Sequence, residues 1–327
     1  MRGRIVAGVG IVGVGVALWA VPYTPMRELP ILSSLVAVDA EMATLGIVVA
    51  IVVALFSVRH GRRGWLILAV ASGLVGVLFG ARCLTQGLSD GSAPVPGDGI
   101  AFVSWNAGDA DAGTIAEQLI PRIERADAAV VVLPETGWLA GASVAEELAR
   151  RGFANVAFAP ESSTTTVILS ASLAESGGYS LDDSAPPWAG TVVRPDNAAA
   201  ANPVIVGVHV QQPAVASVDT WKMHLRWIRA MCAEERYIGV IGDFNSTVNS
   251  LGSAGVGTCA DVASAHGAGA AATWPTLLPP LFGIAIDRFM LGDGYRAADA
   301  TYLVDRSVRG SDHWAIVGTI PCGGRGS

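Results

Sequence analysis

Three apolar runs, Ile5 to Val21, Met42 to Val58 and Trp65 to Leu84, precede residue 86 and are nearly free of charge. A helix needs roughly 20 such residues to cross a hydrocarbon core of about 30 Å, so each run is about long enough to span a membrane. Asp39 and Glu41 stand just ahead of the second run and leave its start open.

The first run also fits a cleaved signal peptide, because Arg2 and Arg4 precede it and "LWA" ends at the small residue Ala20. Two further spans and a poor cleavage site favour its retention. Within it "GVGIVG" (Gly8, Gly10 and Gly13) matches a dinucleotide-binding pattern, yet no strand precedes it and no acid completes a βαβ unit. Small residues for helix packing in the bilayer are the better reading. Arg2 and Arg4 lie before the first span and "RHGRR" (Arg59 to Arg63) between the second and third, whereas the loop after the first span holds only Arg27. The positive-inside rule puts the N-terminus and the second loop in the cytoplasm, and three crossings then place everything after residue 86 outside. The expectation is a multi-pass cell-membrane protein with an extracytoplasmic domain.

That outer part is acidic. Seven of the 21 Lys+Arg and three of the 28 Asp+Glu lie before residue 85, which leaves a balance of −11 with a single lysine, Lys222. A long polyanion is repelled by such a domain unless a local basic groove intervenes. Cys232 and Cys259 bracket one apolar strand, and an outer location permits a bridge between them without requiring it. No C-x-x-C spacing argues for zinc.

"TQGLSDGSAPVPGDG" (Thr85 to Gly99) reads as a linker, being rich in Gly, Ser, Pro and Asp. The chain thus divides into a membrane region 1–84, a linker 85–99 and a domain 100–327. Within the domain "IAFVSW", "AAVVVL", "TTVIL", "PVIVGV", "YIGVI", "GIAI" and "WAIVGTI" are predicted as buried strands. Thr114 to Arg125 and Trp221 to Cys232 carry helical apolar faces, the second through Trp221, Leu225, Ile228 and Cys232. Strands outnumber helices and the connections are irregular, which favours two packed sheets flanked by helices.

Polar residues punctuate those strands. Asn106 ends "FVSW", Glu135 follows "VVVLP", His209 ends "VIVGV", Asp243 and Asn245 end "YIGVI", Asp287 interrupts "GIAIDRFM", and Asp312 and His313 precede "WAIVG". Singly, each has a plain structural role as a cap, a turn residue or a satisfied core histidine. On one rim of a sandwich, together, they supply oxygen ligands for a hard cation and an imidazole able to hold or pass a proton. His60, His224 and His266 lack such a setting and are expected at the surface.

In that order, Asn, Glu, His-x-x-x-Pro, "GDFN", Ile-Asp and "SDH" resemble the endonuclease/exonuclease/phosphatase superfamily, over about Ile100 to Ile320. Nucleases, sphingomyelinases and inositol polyphosphate phosphatases belong to it. Three spans, and "TWP" (Thr273 to Pro275) ahead of a Pro-rich loop, resemble a bacterial membrane-anchored branch. The resemblance implies an α+β fold of two packed mixed β-sheets flanked by helices, a four-layer αββα sandwich, here preceded by three transmembrane helices. It implies hydrolysis of a phosphoester bond with Mg²⁺ or Mn²⁺. Glu135 would bind the metal, with Asn106 and Asp312 nearby, all three offering oxygen. Asp243 would orient or deprotonate water, and Asn245 would donate to the phosphoryl group. His313 would contact the scissile phosphate, Asp287 would fix its tautomer, and His209 would approach from the other side. Arg288 where this branch often has His, Trp314-Ala315 after "SDH" and Gly108 at an often acidic position depart from the pattern. They leave the metal and base positions intact and alter contacts to the phosphate backbone.

The expected partners are membrane lipids and a phosphoester substrate, a phospholipid or lipid-linked compound at the outer membrane face; no protein partner is implied. "WPTLLPPLFG", an apolar loop leading to Asp287, offers a place for acyl or prenyl chains and equally reads as buried packing. The alternatives are an anchored extracytoplasmic nuclease acting on nucleic acid and a catalytically silent phosphate-binding domain.

Overall fold

The computed structural model describes residues 2–196 and 202–322. Three helices, α1 (Arg2–Ala20), α3 (Asp39–Arg59) and α4 (Leu66–Gln86), are long and apolar enough to cross a membrane, and the short α2 (Pro30–Leu35) lies between the first two. Small residues let them approach closely. A Cβ on Gly46 would fall 2.7 Å from the backbone of Gly76, and one on Gly15 would fall 2.4 Å from Val75. Of the "GVGIVG" glycines only Gly8 packs in this way, against Ile67, while Gly10 and Gly13 meet nothing.

The rest of the described chain forms two sheets. One runs β12 (Thr301–Asp305), β13 (Ala315–Pro321), β1 (Gly99–Ser104), β2 (Val130–Leu133), β4 (Thr166–Ser170) and β3 (Asn155–Phe158). The other runs β5 (Tyr179–Asp182), β6 (Gly190–Pro195), β7 (Val204–His209), β8 (Ile238–Asp243), β11 (Asp287–Leu291), β10 (Cys259–Asp261) and β9 (Gly255–Val256). β1 with β2 and β7 with β8 are parallel and the other ladders antiparallel, so both sheets are mixed. The helices α5 (Ala112–Ala126) and α6 (Trp138–Arg150) cover the first sheet, and α8 (Val218–Glu234) covers the second. Three short helices, α7 (Ala171–Gly177), α9 (Val248–Leu251) and α10 (Val262–Ala265), complete the expected four-layer sandwich.

The strand residues sort by the two-residue period of a pleated chain. Val204, Val206 and Val208 of β7 pack beneath Trp221, Leu225 and Ile228 of α8, while Ile205 joins the core between the sheets. Gly207 faces that core too, where a Cβ would lie 2.7 Å from Val167 of the other sheet, so only a bare backbone fits. Burial on both faces is why these strands read as unbroken apolar runs.

"GIAI" and His224 differ from the sequence reading. "GIAI" is not a strand: the Thr273 hydroxyl accepts from the backbone N–H groups of Ile286 and Asp287, and regular pairing begins at Asp287 itself. His224 is fully buried on the apolar face of α8, its Nδ1 accepting from the Gln211 N–H at 3.2 Å. Residues of the 85–99 segment lie along β12, where Gly91 bridges Leu303, the Ser92 N–H bonds the Tyr302 carbonyl and Arg306 pairs with Asp90. Cys232 and Cys259 form a disulfide that ties α8 to β10.

The apolar N-terminal helices also contact the sandwich. Asn249 of α9 donates from Nδ2 to the Val36 carbonyl and to Asp39 Oδ2, each at 2.8 Å, and its Oδ1 accepts from Gln86 Nε2 at 2.7 Å. Arg82 of α4 completes the network by a two-pronged pairing with Asp39, one arm at 2.7 Å, and the pair is buried.

Candidate active site

Strand direction gathers the polar residues. β7 and β8 are parallel and end together at His209 and Asp243, which are register partners; β11 runs the opposite way and begins at Asp287, opposite Asp243. In the first sheet Asn106 and Glu135 follow the ends of the parallel strands β1 and β2, and His313 precedes the antiparallel β13. One rim of the sandwich therefore collects all of them.

The contacts are close. His313 Nδ1 lies 2.8 Å from Asp287 Oδ2 and its Nε2 lies 4.0 Å from Asp243 Oδ2. Asn106 donates from Nδ2 to Glu135 Oε1 at 3.0 Å and to Asp243 Oδ2 at 3.2 Å, while its Oδ1 accepts from the Gly108 N–H. It thus turns nitrogen, not the expected oxygen, toward the carboxylates. His209 Nε2 is 3.3 Å from Glu135 Oε1, and its Nδ1 is 3.2 Å from the Thr164 hydroxyl. The Asn245 backbone N–H bonds Asp243 Oδ1 at 2.7 Å, and its side chain bonds the Val210 carbonyl. Glu135 and Asn245 both hold positive φ, 57° and 44°, a conformation costly outside glycine that the surrounding bonds maintain.

His313 is set from behind as well: Trp105 Nε1 donates to its carbonyl at 3.0 Å, and Ser311 links its N–H to the Asn106 carbonyl. Burial alone would lower its pKa, but the Asp287 carboxylate, then Asp243 and Asp312, raise it to about 9. Burial, with the Asp287 charge added, pushes Asp243 up to about 7. Burial lowers His209, against the pull of Glu135.

Two sets of ligand atoms each lie within 4.8 Å of one another: Glu135, His209 and Asp243, and Asp243, Asp287 and His313. Carboxylate oxygens with imidazole suit a divalent cation, and half-exposed Glu135 is open to the cleft. Asp312 stands at the rim, where Trp274 Nε1 donates to its Oδ2 at 2.7 Å. Arg288 is no site residue: it is fully buried, paired with Asp261 and bonded to the carbonyls of Ser246, Gly269 and Ala285.

The cleft above these groups encloses about 570 Å³. Trp274 belongs to the "TWP" stretch that the sequence marked, while Thr164 and Gln211 are contributors that it did not. Nor did it mark Ser33 and Ser34 of α2 or Ala37 and Val38 just after it, from the segment between α1 and α3, which form one wall beside Glu135, His209, Asp243 and His313.

The sequence profile of the Endonuclease/Exonuclease/phosphatase family matches residues 103–313, the span that holds every residue from Asn106 to His313. No curated protein matches the chain significantly. Among solved structures the chain is similar to D. rerio TDP2 humanized by 14 mutations, at 16% identity and TM-score 0.46, covering 68% of this chain and 98% of that one. It is similar to D. rerio TDP2 complexed with single strand DNA product, at 16% and 0.46 over 67% and 97%. A third is truncated Caenorhabditis elegans TDP2, at 14% and 0.44 over 67% and 96%.

Proposed function

The chain belongs to the endonuclease/exonuclease/phosphatase family, and from that premise we propose that it is a membrane-anchored, divalent-metal-dependent phosphoesterase acting on a phospholipid or lipid-linked phosphoester at the outer membrane face. The observation that carries the chemistry is the convergence of Asp243, Asp287 and His313 with Glu135 and His209 on one rim. The donor set fits Mg²⁺ or Mn²⁺, which Glu135 would hold with Asp312 and Asn106 near it. Bound there, the cation would polarise a phosphoryl oxygen and offset the charge that builds on it.

The protein's own groups divide the remaining work. Asp243, with its raised pKa, takes the proton of the attacking water as the new P–O bond forms and the P–O bond to the ester oxygen breaks, and the departing alkoxide takes its proton from solvent. His313 is protonated at neutral pH and turns Nε2 toward the cleft, where it stabilises the phosphoryl group. Asp287 keeps the His313 proton on Nδ1, the atom it faces. Asn106 orients Glu135, and His209 with Asn245 closes the far side.

The lipid reading is supported by the cleft wall built from the segment between α1 and α3, and by the −11 balance beyond residue 84, which offers little surface for nucleic acid. The test uses full-length protein with bis-p-nitrophenyl phosphate, vesicle phospholipid, plasmid and single-stranded DNA, each in Mg²⁺, Mn²⁺ or EDTA. Metal-dependent cleavage of the diester and of lipid is expected. Rapid DNA cleavage at physiological salt with lipid untouched would replace the lipid reading by the nuclease one, and no turnover of any substrate would leave a phosphate-binding domain.

A further inference from the structure

The loop from Trp274 to Ile286 contains no charged residue, and it is not buried packing: Leu277 is 91% exposed, and Leu278 and Leu281 are exposed as well. Exposed leucines in a row are unfavourable in water and call for a cover. The two ends of the loop fix where that cover lies. At one end Thr276 bonds the Asp312 carbonyl through its N–H at 2.8 Å and the Ser311 carbonyl through its hydroxyl at 3.0 Å, so this end is held at the catalytic rim. At the other, the 3₁₀ turn Pro280–Phe282 packs beside α3, and Leu281 shares a crevice with Asp39, Ala40 and Glu41 at the start of that helix. One turn further along α3 stands Leu45, exposed on the apolar surface of the span. Residues 277–280 thus bridge the catalytic rim and the level at which α3 enters hydrocarbon.

We infer that Leu277, Leu278 and Leu281 insert into the headgroup–acyl boundary of the bilayer that the three helices span, and so seat the mouth of the cleft against lipid. The occupant is the membrane itself, because the patch lies beside the start of α3, whose exposed apolar residues begin one turn further on. The inference rests on the three helices crossing a bilayer and not on the chemistry proposed for the cleft. Its consequence for that chemistry is that a lipid headgroup reaches the rim with its chains still in the leaflet.

The test places an environment-sensitive fluorophore at Leu277→Cys in full-length protein carrying Cys322→Ser, the other free thiol, Cys83, being buried. The protein is reconstituted in phosphatidylethanolamine and phosphatidylglycerol vesicles. Blue-shifted emission quenched by nitroxide-labelled lipid and shielded from iodide is expected. Water-like emission quenched by iodide overturns the inference, as does shielding from both quenchers with cross-linking between two copies. A second variant, Leu277→Asp with Leu281→Asp, should hydrolyse soluble bis-p-nitrophenyl phosphate normally and vesicle-embedded lipid about tenfold more slowly, the scale of one leucine transfer. Equal loss on both substrates counts against it. If the protein cleaves no lipid at all, the fluorophore still decides the position of the loop, so failure of the substrate reading and failure of this one are told apart.

Discussion

Asp243 and Asp287 are register partners across an antiparallel ladder, with the His313 imidazole 2.8 Å from one carboxylate and 4.0 Å from the other. Two carboxylates brought together by strand pairing in a buried site require a positive neighbour, and His313 is the one supplied. The two carboxylates are therefore set by backbone register, and His313 is held against them by the bonds of its backbone to Trp105 and Ser311.

The first prediction concerns protonation. In EDTA, NMR titration of His313 should give a pKa near 9, and Asp287→Asn should lower it. A raised folded pKa contributes stability that is complete below the unfolded value of about 6.5 and is lost as pH rises through about 9. Melting temperature should therefore fall over that window in the native protein and fall less in the variant. An unchanged His313 titration in Asp287→Asn would show that the carboxylate is not its partner.

The second concerns rate. Asp243→Ala and His313→Ala should each lower diester hydrolysis by at least about 10², the scale of one acid–base group, without changing the fold. Circular dichroism alongside the kinetics separates lost chemistry from lost structure, and full activity in both variants removes the assignment.

The third concerns the disulfide. Cys232 and Cys259 are separated by 27 residues, and closing a loop of that size contributes about 3.5 kcal/mol in the chain-entropy model. Cys232→Ser or prior reduction should lower the denaturation midpoint of the sandwich while sparing its catalytic rim. Thiol labelling before and after reduction checks the bond directly; two thiols reactive without reductant would contradict it.

The fourth concerns sidedness. A reporter active only outside the cytoplasm should be on when fused after Ser327 and off when inserted in the Arg59 to Arg63 loop. The reverse pattern would place the site in the cytoplasm and call for soluble phosphoesters as substrates.

Much of the rim was legible because Asn106, Glu135, His209 and Asp243 are polar exceptions at the ends of runs that both sheet faces bury. The three long apolar helices were legible from the length and composition of their runs. Ser33 and Ala37 gave no signal, since small residues in a short segment between two apolar helices look alike whether they face water or a cleft. His224 did have one: it lies three residues after Trp221 and four before Ile228, on the same helical face, so the period that located α8 also implied its burial. Short strands were missed, β5 ("YSLD") because polar residues alternate with apolar ones in it and β12 ("TYLVD") because its apolar run is only three residues long.

The Asn249–Asp39–Arg82 network joins the sandwich to the apolar N-terminal helices by buried bonds rather than by a free tether. On the lipid reading, enzyme and substrate then meet in two dimensions. Turnover should follow the mole fraction of substrate in the surface and ignore how much water surrounds the vesicles. Diluting the whole suspension would leave the rate per enzyme unchanged, whereas adding inert lipid to the same bilayer would lower it.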